Sequence, residues 1–253
     1  MNKTITEYDN KKERWDKINK DLISIPINEM IKDSKSPFDT TSSLDTTAFL
    51  NWRFYPSNRI ETHFFTLAEG YFEVALHLIQ ECVDSTSIHK SDIWIFPVLF
   101  NVIHGTELYL KGFKSLYPIY KKLEKFEGIE ESNIEGNHDI KQLHDVAMSL
   151  INKSNDKQFR PSLLYIRKFI DIIYKYTDDM SFGRYPIGKT KNNEDTHFYV
   201  SQDNITLDLT NLYVWVKRIS HEFECISGYL EDMTGEMESL YYDVMSEYAE
   251  GGC

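Results

Sequence analysis

PVLFNVIHGTELYLKGFKSLY, residues 97–117, is the stretch whose reading decides the fold. Leu99, Phe100, Val102, Ile103, Leu108, Leu110 and Phe113 make it apolar on most sides. Its polar members His104, Glu107, Lys111 and Lys114 stand three, four and three apart, which lines them along one stripe of an α-helix. Gly105 and Gly112 form a second seam. Glycine is less favourable than alanine by about 1 kcal/mol inside a helix, so two on one face point to another backbone packed close. Pro118 lacks an amide donor and disfavours helix in the residue before it, so this helix is expected to end at Tyr117. The stretch reads as a core helix with one wet or partner-facing edge.

The same periodicity continues outward. Phe64, Leu67, Ala68, Tyr71, Ala75, Leu78 and Cys82 recur every three or four residues, giving a helix over 60–83 with a turn at 84–90. Downstream, a charged connector ends at Gly136, and Asn137 is expected to cap a helix over 138–152 with Asp139 in its first turn. Pro161, at a favoured first position, opens a helix that runs to 177. Residues 178–207 read as a loop insertion in which 197–200 and 204–207 pair as a small hairpin. Leu209, Leu212, Val216, Ile219, Phe223, Ile226 and Leu230 then make a heptad seam fit for a bundle or a dimer. Gly235 is expected to interrupt it, leaving Met237 to Tyr248 as a last acidic helix.

The fold class is therefore all-α: a helical bundle over 58–230 with one small β-hairpin, an N-terminal extension and linker over 1–57, and a C-terminal acidic helix and tail over 231–253. Within the extension, Glu7 to Lys20 reads as a charged helix, and 33–47, rich in Ser, Thr, Asp and Pro, as a loop.

A net charge of −12 argues against bulk DNA or RNA coating, which needs clustered Lys and Arg to displace phosphate counterions. Lys111, Lys114, Lys121, Lys122 and Lys125 still concentrate positive charge at the end of the central helix, where the helix dipole favours it. Cys82, Cys225 and Cys253 share no metal-like spacing, and no phosphate-cradling glycine loop, His-Glu-x-x-His or Gly-x-Ser-x-Gly is present, so no metal or cofactor is expected. The start of the chain is polar, and no apolar run approaches the roughly 18 residues of a membrane span. A cytoplasmic protein is the expectation.

Four segments come in a telling order: Phe65-Thr66-Leu67-Ala68-Glu69-Gly70-Tyr71, Ile103 to Lys111, Gly136-Asn137-His138-Asp139-Ile140 with Leu143, and Phe182-Gly183-Arg184-Tyr185-Pro186. Over about residues 60–230 the chain resembles bacterial HEPN-domain proteins. The resemblance implies a helical bundle, frequent dimerisation and membership in a group that includes metal-independent ribonucleases of toxin systems and phage defence. Active members typically carry an arginine, four to six other residues and a histidine. None of Arg14, Arg53, Arg59, Arg160, Arg167, Arg184 and Arg218 has a histidine in that window; Arg59 with His63 and Arg218 with His221 are spaced too closely.

RNA cleavage needs a base for the ribose 2′ proton and a cation for the phosphorane. A composite of His104, His138 and Arg184 is the candidate catalytic set, with Glu107, Lys111, Asp139 and Tyr185 as binding residues. Plainer roles compete. His104 reads first as a core-edge histidine bonded to Glu107 or a carbonyl, Glu107 with Lys111 first as an i,i+4 ion pair, His138-Asp139 most simply as a helix start, and Arg184 equally as a loop arginine capping helix ends. Three functions follow as expectations: a HEPN-like defence or toxin component that binds RNA or a partner protein with a degenerate nuclease site, an active metal-independent ribonuclease with an atypical site, or a structural bundle. A homodimer or a partner protein is expected in each.

Overall fold

The computed structural model describes residues 59–127, 136–175, 187–189, 195–197 and 206–250, with Asp16, Asn19, Lys20, Ser24, Pro26 and Ala48. The chain divides into two compact units, Met1–Arg53 and Phe54–Cys253. In the first, Asp16, Asn19, Lys20 and Ser24 are helical, and the rest of the expected N-terminal helix and loop lies outside the described residues.

The second unit is mostly helical: α1 (Ile60–Asp84), α2 (Ile88–Leu123), α3 (Ile140–Lys153), α4 (Arg160–Tyr174) and α5 (Leu209–Glu250). A short antiparallel ladder pairs β1 (Ile187–Lys189) with β2 (Asp195–His197), Ile187 opposite His197. Most of the expected 197–200 and 204–207 pairing lies outside the described residues; His197 pairs instead with Ile187, and Thr206 and Leu207 are not in a strand.

Helix α2 is the hub, packing on α1, α3 and α5, while α5 also touches α1 and α4, and α3 touches α4. The pairing of α1 with α2 is read from the glycine seam. A Cβ on Gly105 would lie 2.7 Å from the Phe72 ring, and one on Gly112 2.5 Å from the Phe65 ring. The partner number falls as the α2 number rises, so the two helices run antiparallel. The seam holds aromatic rings and, at Gly105, the close backbone expected: the Ala68 carbonyl oxygen of α1 would lie 3.4 Å from the added Cβ. Phe72 also meets Tyr109 and Phe223, and Tyr109 stacks on Phe223 with centroids 4.5 Å apart, which joins α5 to the pair.

Both prolines of α2 lie inside it. The helix continues past Pro118 because Ile119, Tyr120 and Leu123 are at most 3% exposed. Burying side chains of that size contributes about 1.5–3 kcal/mol each, against about 3 kcal/mol for an interior proline. Before Pro97, Lys90 holds the first turns against α1, 2.9 Å from Glu81 and 4.2 Å from the centre of the Trp94 ring. By length and composition α2 is apolar enough to cross a membrane, and half of its most apolar window is buried inside the protein, as in a core helix.

The seam of α5 is buried from Leu212 to Leu230 against the chain's own helices. Gly235 does not break the helix. One exposed glycine is a penalty of about 1 kcal/mol. Beyond it Glu238 is held to Arg59 by paired hydrogen bonds of 3.0 and 2.6 Å.

These two kinds of glycine give opposite expectations in urea unfolding. Gly112→Ala should lower stability by about 1–3 kcal/mol, since the new methyl displaces the buried Phe65 ring. Gly235→Ala meets nothing within 4 Å and should raise stability by up to about 1 kcal/mol.

Candidate functional site

Glu107 lies near the middle of α2 and is only 2% exposed. A carboxylate in such a place must be compensated or take up a proton. Lys111, one turn on, donates to Oε1 from 2.8 Å. The second partner comes from elsewhere: His138, just before α3, sets Nδ1 2.9 Å from the same oxygen. On the other side His104 Nδ1 lies 3.6 Å from Oε2, too long for a hydrogen bond but close enough for attraction when the ring is protonated. Burial opposes ionisation of Glu107, yet the His104 imidazole, the Lys111 ammonium and the His138 imidazole prevail and hold its carboxyl down at about 2.

An ionised carboxylate can only accept, so His138 carries its proton on Nδ1 and keeps Nε2 for other work. The His138 side chain is 73% exposed. A carboxylate that fixes an imidazole in one tautomer while its other nitrogen meets solvent is the arrangement general bases use. His104 is held differently, edge-on to Tyr71 at 4.6 Å and stacked with Phe100 at 5.7 Å.

What aims His138 is the start of α3. Asp139, not Asn137, is the cap: its Oδ1 accepts from the backbone of Lys141 at 2.9 Å and Gln142 at 3.1 Å. Asn137 stands two residues too early and instead accepts from the Asp139 amide. The same Asp139 oxygen takes the Tyr174 hydroxyl at 2.7 Å, tying the cap to the end of α4. Although burial opposes it, the bonds from Tyr174, Gln142 and Lys141 lower the Asp139 pKa. Tyr174 escaped sequence reasoning because its partner is 35 residues away and no local pattern marks the pair.

Of the expected set, then, His104, Glu107, Lys111 and His138 converge, and Asp139 caps the helix that positions the last. Arg184 and Tyr185 lie outside the described residues. The arginines nearest in sequence to histidines are engaged by carboxylates: Arg59 by Glu238 and Arg218 by Glu222 at 2.5 Å. Sequence spacing also missed that Arg167 of α4 sits 3.5 Å from His144 Nδ1. That histidine is buried, with burial lowering its pKa, and donates from Nε2 to the Leu163 carbonyl at 2.7 Å. Arg167 is meanwhile bonded to Asp145 and Asp171, so this pair braces α3 on α4.

The basic end of α2 is also largely internal. Lys121 bonds Glu124 at 2.8 Å and Asp156 at 3.1 Å and lies over the Tyr120 ring. Among the described residues no three His, Cys, Asp or Glu side chains are grouped to hold a metal ion. No protein-family model matches the chain, and comparison with curated proteins and with solved structures gives no match either.

The sign of the pH dependence follows from the depressed Glu107 carboxyl. Its contribution is complete above an ordinary carboxyl pKa of 4.5 and is lost as pH falls toward about 2. Glu107→Gln should therefore destabilise the chain by about 3 kcal/mol at neutral pH, by leaving a partly buried ammonium unmatched. Urea titrations from about pH 5 down to about pH 3 should show a shallower loss in the variant than in the native chain.

Proposed function

We propose that this chain is a HEPN-like component of a bacterial defence or toxin system, acting in the cytoplasm by binding RNA or a partner protein, with a degenerate nuclease site. The observation that carries the reading is the 2.9 Å bond between His138 and Glu107. It joins two of the segments on which the resemblance rests, 31 residues apart, within a mostly helical unit. The face so formed offers an exposed imidazole, the edge of Lys111 and the aromatic flank of Tyr71, Phe100 and His104. Imidazole and aromatic rings suit unpaired bases better than a phosphate backbone. The degenerate nuclease site rests on the cations: among the described residues the arginines closest to histidines are matched by carboxylates, which leaves those two less able to stabilise a phosphorane.

The carboxylate-oriented His138 favours a second reading, an active metal-independent ribonuclease in which Nε2 takes the 2′ proton. The two separate in one experiment. Purified protein is mixed with total tRNA and with unstructured RNA in chelator, and fluorescence anisotropy is followed by gel analysis. The proposal expects single-stranded RNA to bind, His138→Ala to weaken binding about tenfold, roughly 1.4 kcal/mol, and the RNA to remain intact. Cleavage abolished by His138→Ala would replace the first reading with the second. Absence of RNA binding at low salt would overturn both RNA readings and leave protein partners, or a homodimer measured by light scattering.

A further inference from the structure

Helix α5 outlasts the helices it packs on. It runs antiparallel to α1: Gln80 donates to the Tyr213 hydroxyl at 3.0 Å, Phe72 meets Phe223, and Glu238 takes Arg59, the residue before α1 begins. Alongside α2 it runs parallel, with Phe223 on Tyr109 and Tyr229 edge-on to Tyr120, close to the last residue of α2, Leu123. Among the described residues both neighbours are used up near Glu238, while α5 continues to Glu250.

The apolar seam does not stop with them. Met237, Leu240, Tyr241, Val244 and Tyr248 keep the spacing of three and four that buries Leu212 to Leu230, so they share one strip of the helix. Here the strip opens to solvent: Leu240 is 45% exposed and Tyr248 76%, and Tyr242 and Met245 beside them are exposed as well. One edge is lined by Glu236, Asp243 and Glu247, seven and four apart and all exposed. No ion pair reaches these three among the described residues, and from Glu222 to Glu250 the sequence holds no Lys, Arg or His.

A contiguous apolar strip rimmed by charge of one sign marks a surface for another molecule, and the sign selects which. A second copy would lay its own acidic row on this one with no cation to meet either. RNA and anionic lipid are repelled in the same way. A basic helix matches both features, its apolar face covering the strip and its Lys or Arg side chains meeting Glu236, Asp243 and Glu247. The rings of Tyr241, Tyr242 and Tyr248 present their faces to the same cations. We propose that residues 236–248 of α5 dock a basic amphipathic helix of a partner protein. Nothing in this docking draws on the Glu107 site.

The test is fluorescence anisotropy of the full chain with a labelled helical peptide of about five turns, leucine on one face and lysine along its flanks. Two controls accompany it: the same peptide with glutamate for lysine, and a scrambled lysine peptide that lacks the apolar face. Only the first should bind saturably. Leu240→Ser with Tyr248→Ser should weaken binding about tenfold, as loss of apolar anchors does. Glu236→Lys, Asp243→Lys and Glu247→Lys together should transfer binding to the glutamate peptide. All five positions are exposed, so the melting temperature should be retained, and the charge-reversed chain carries the test should the serine variant melt early. Equal binding of the scrambled peptide would reduce the surface to bulk attraction and overturn the proposal. So would binding of the glutamate peptide by the native chain, or binding unchanged in both variants. A native dimer by light scattering that falls apart in the serine variant would assign the strip to a second copy instead.

Discussion

An ionised carboxylate inside a hydrophobic bundle constrains everything within its reach. Glu107 sits among aromatic and aliphatic neighbours on α2, and desolvation alone would return it to the neutral acid. It stays charged because Lys111 shares its helix and because the 136–139 segment delivers His138 to it. The connection between α2 and α3 is thereby fixed at one end by chemistry rather than by packing. The Asp139 cap and the Tyr174 hydroxyl extend that constraint to α3 and α4. Breaking any one of these links would turn His138 away from its partner.

Much of the helical framework was legible in the sequence, because an apolar stripe at a spacing of three and four has one natural interpretation. The seam of α5 and most of the stripe of α3 are buried as their periodicity requires, whereas on α1 the core takes Phe65, Ala68, Phe72, Ala75 and Ile79, a face rotated from the expected stripe, and leaves Leu67 exposed. Boundaries were less legible. Pro118 and Gly235 are local signals, and tertiary contacts overrode both: buried Ile119, Tyr120 and Leu123 in one case, and the Arg59 to Glu238 pair in the other. In the site, the pair Glu107 and Lys111 was visible because i,i+4 geometry is written in spacing. The approach of His138, the bond from Tyr174 and the proximity of Arg167 to His144 depend on how helices pack, which spacing does not encode.

Charge is distributed economically in this chain. Although the net value is −12, several of the cations described at the helix surfaces are drawn into pairs with neighbouring carboxylates: Lys90 with Glu81, Lys121 with Glu124 and Asp156, Arg167 with Asp145 and Asp171. Such pairs are individually weak at exposed positions. Their collective effect is to reduce the charge these cations present to an anionic partner, so the recognition proposed for the Glu107 face would rest on rings and hydrogen bonds more than on long-range attraction.

The glycine seam between α1 and α2 also orders the assembly of the chain in time. Those helices are joined by three residues, so bringing Phe65 and Phe72 onto Gly112 and Gly105 closes a short loop. Docking α5 on the same pair closes one of well over a hundred residues, and entropy delays it. The hairpin is thus the natural nucleus. The Tyr109 and Phe223 stack, which waits for α5, acts chiefly as a latch that sets how fast the folded chain comes apart.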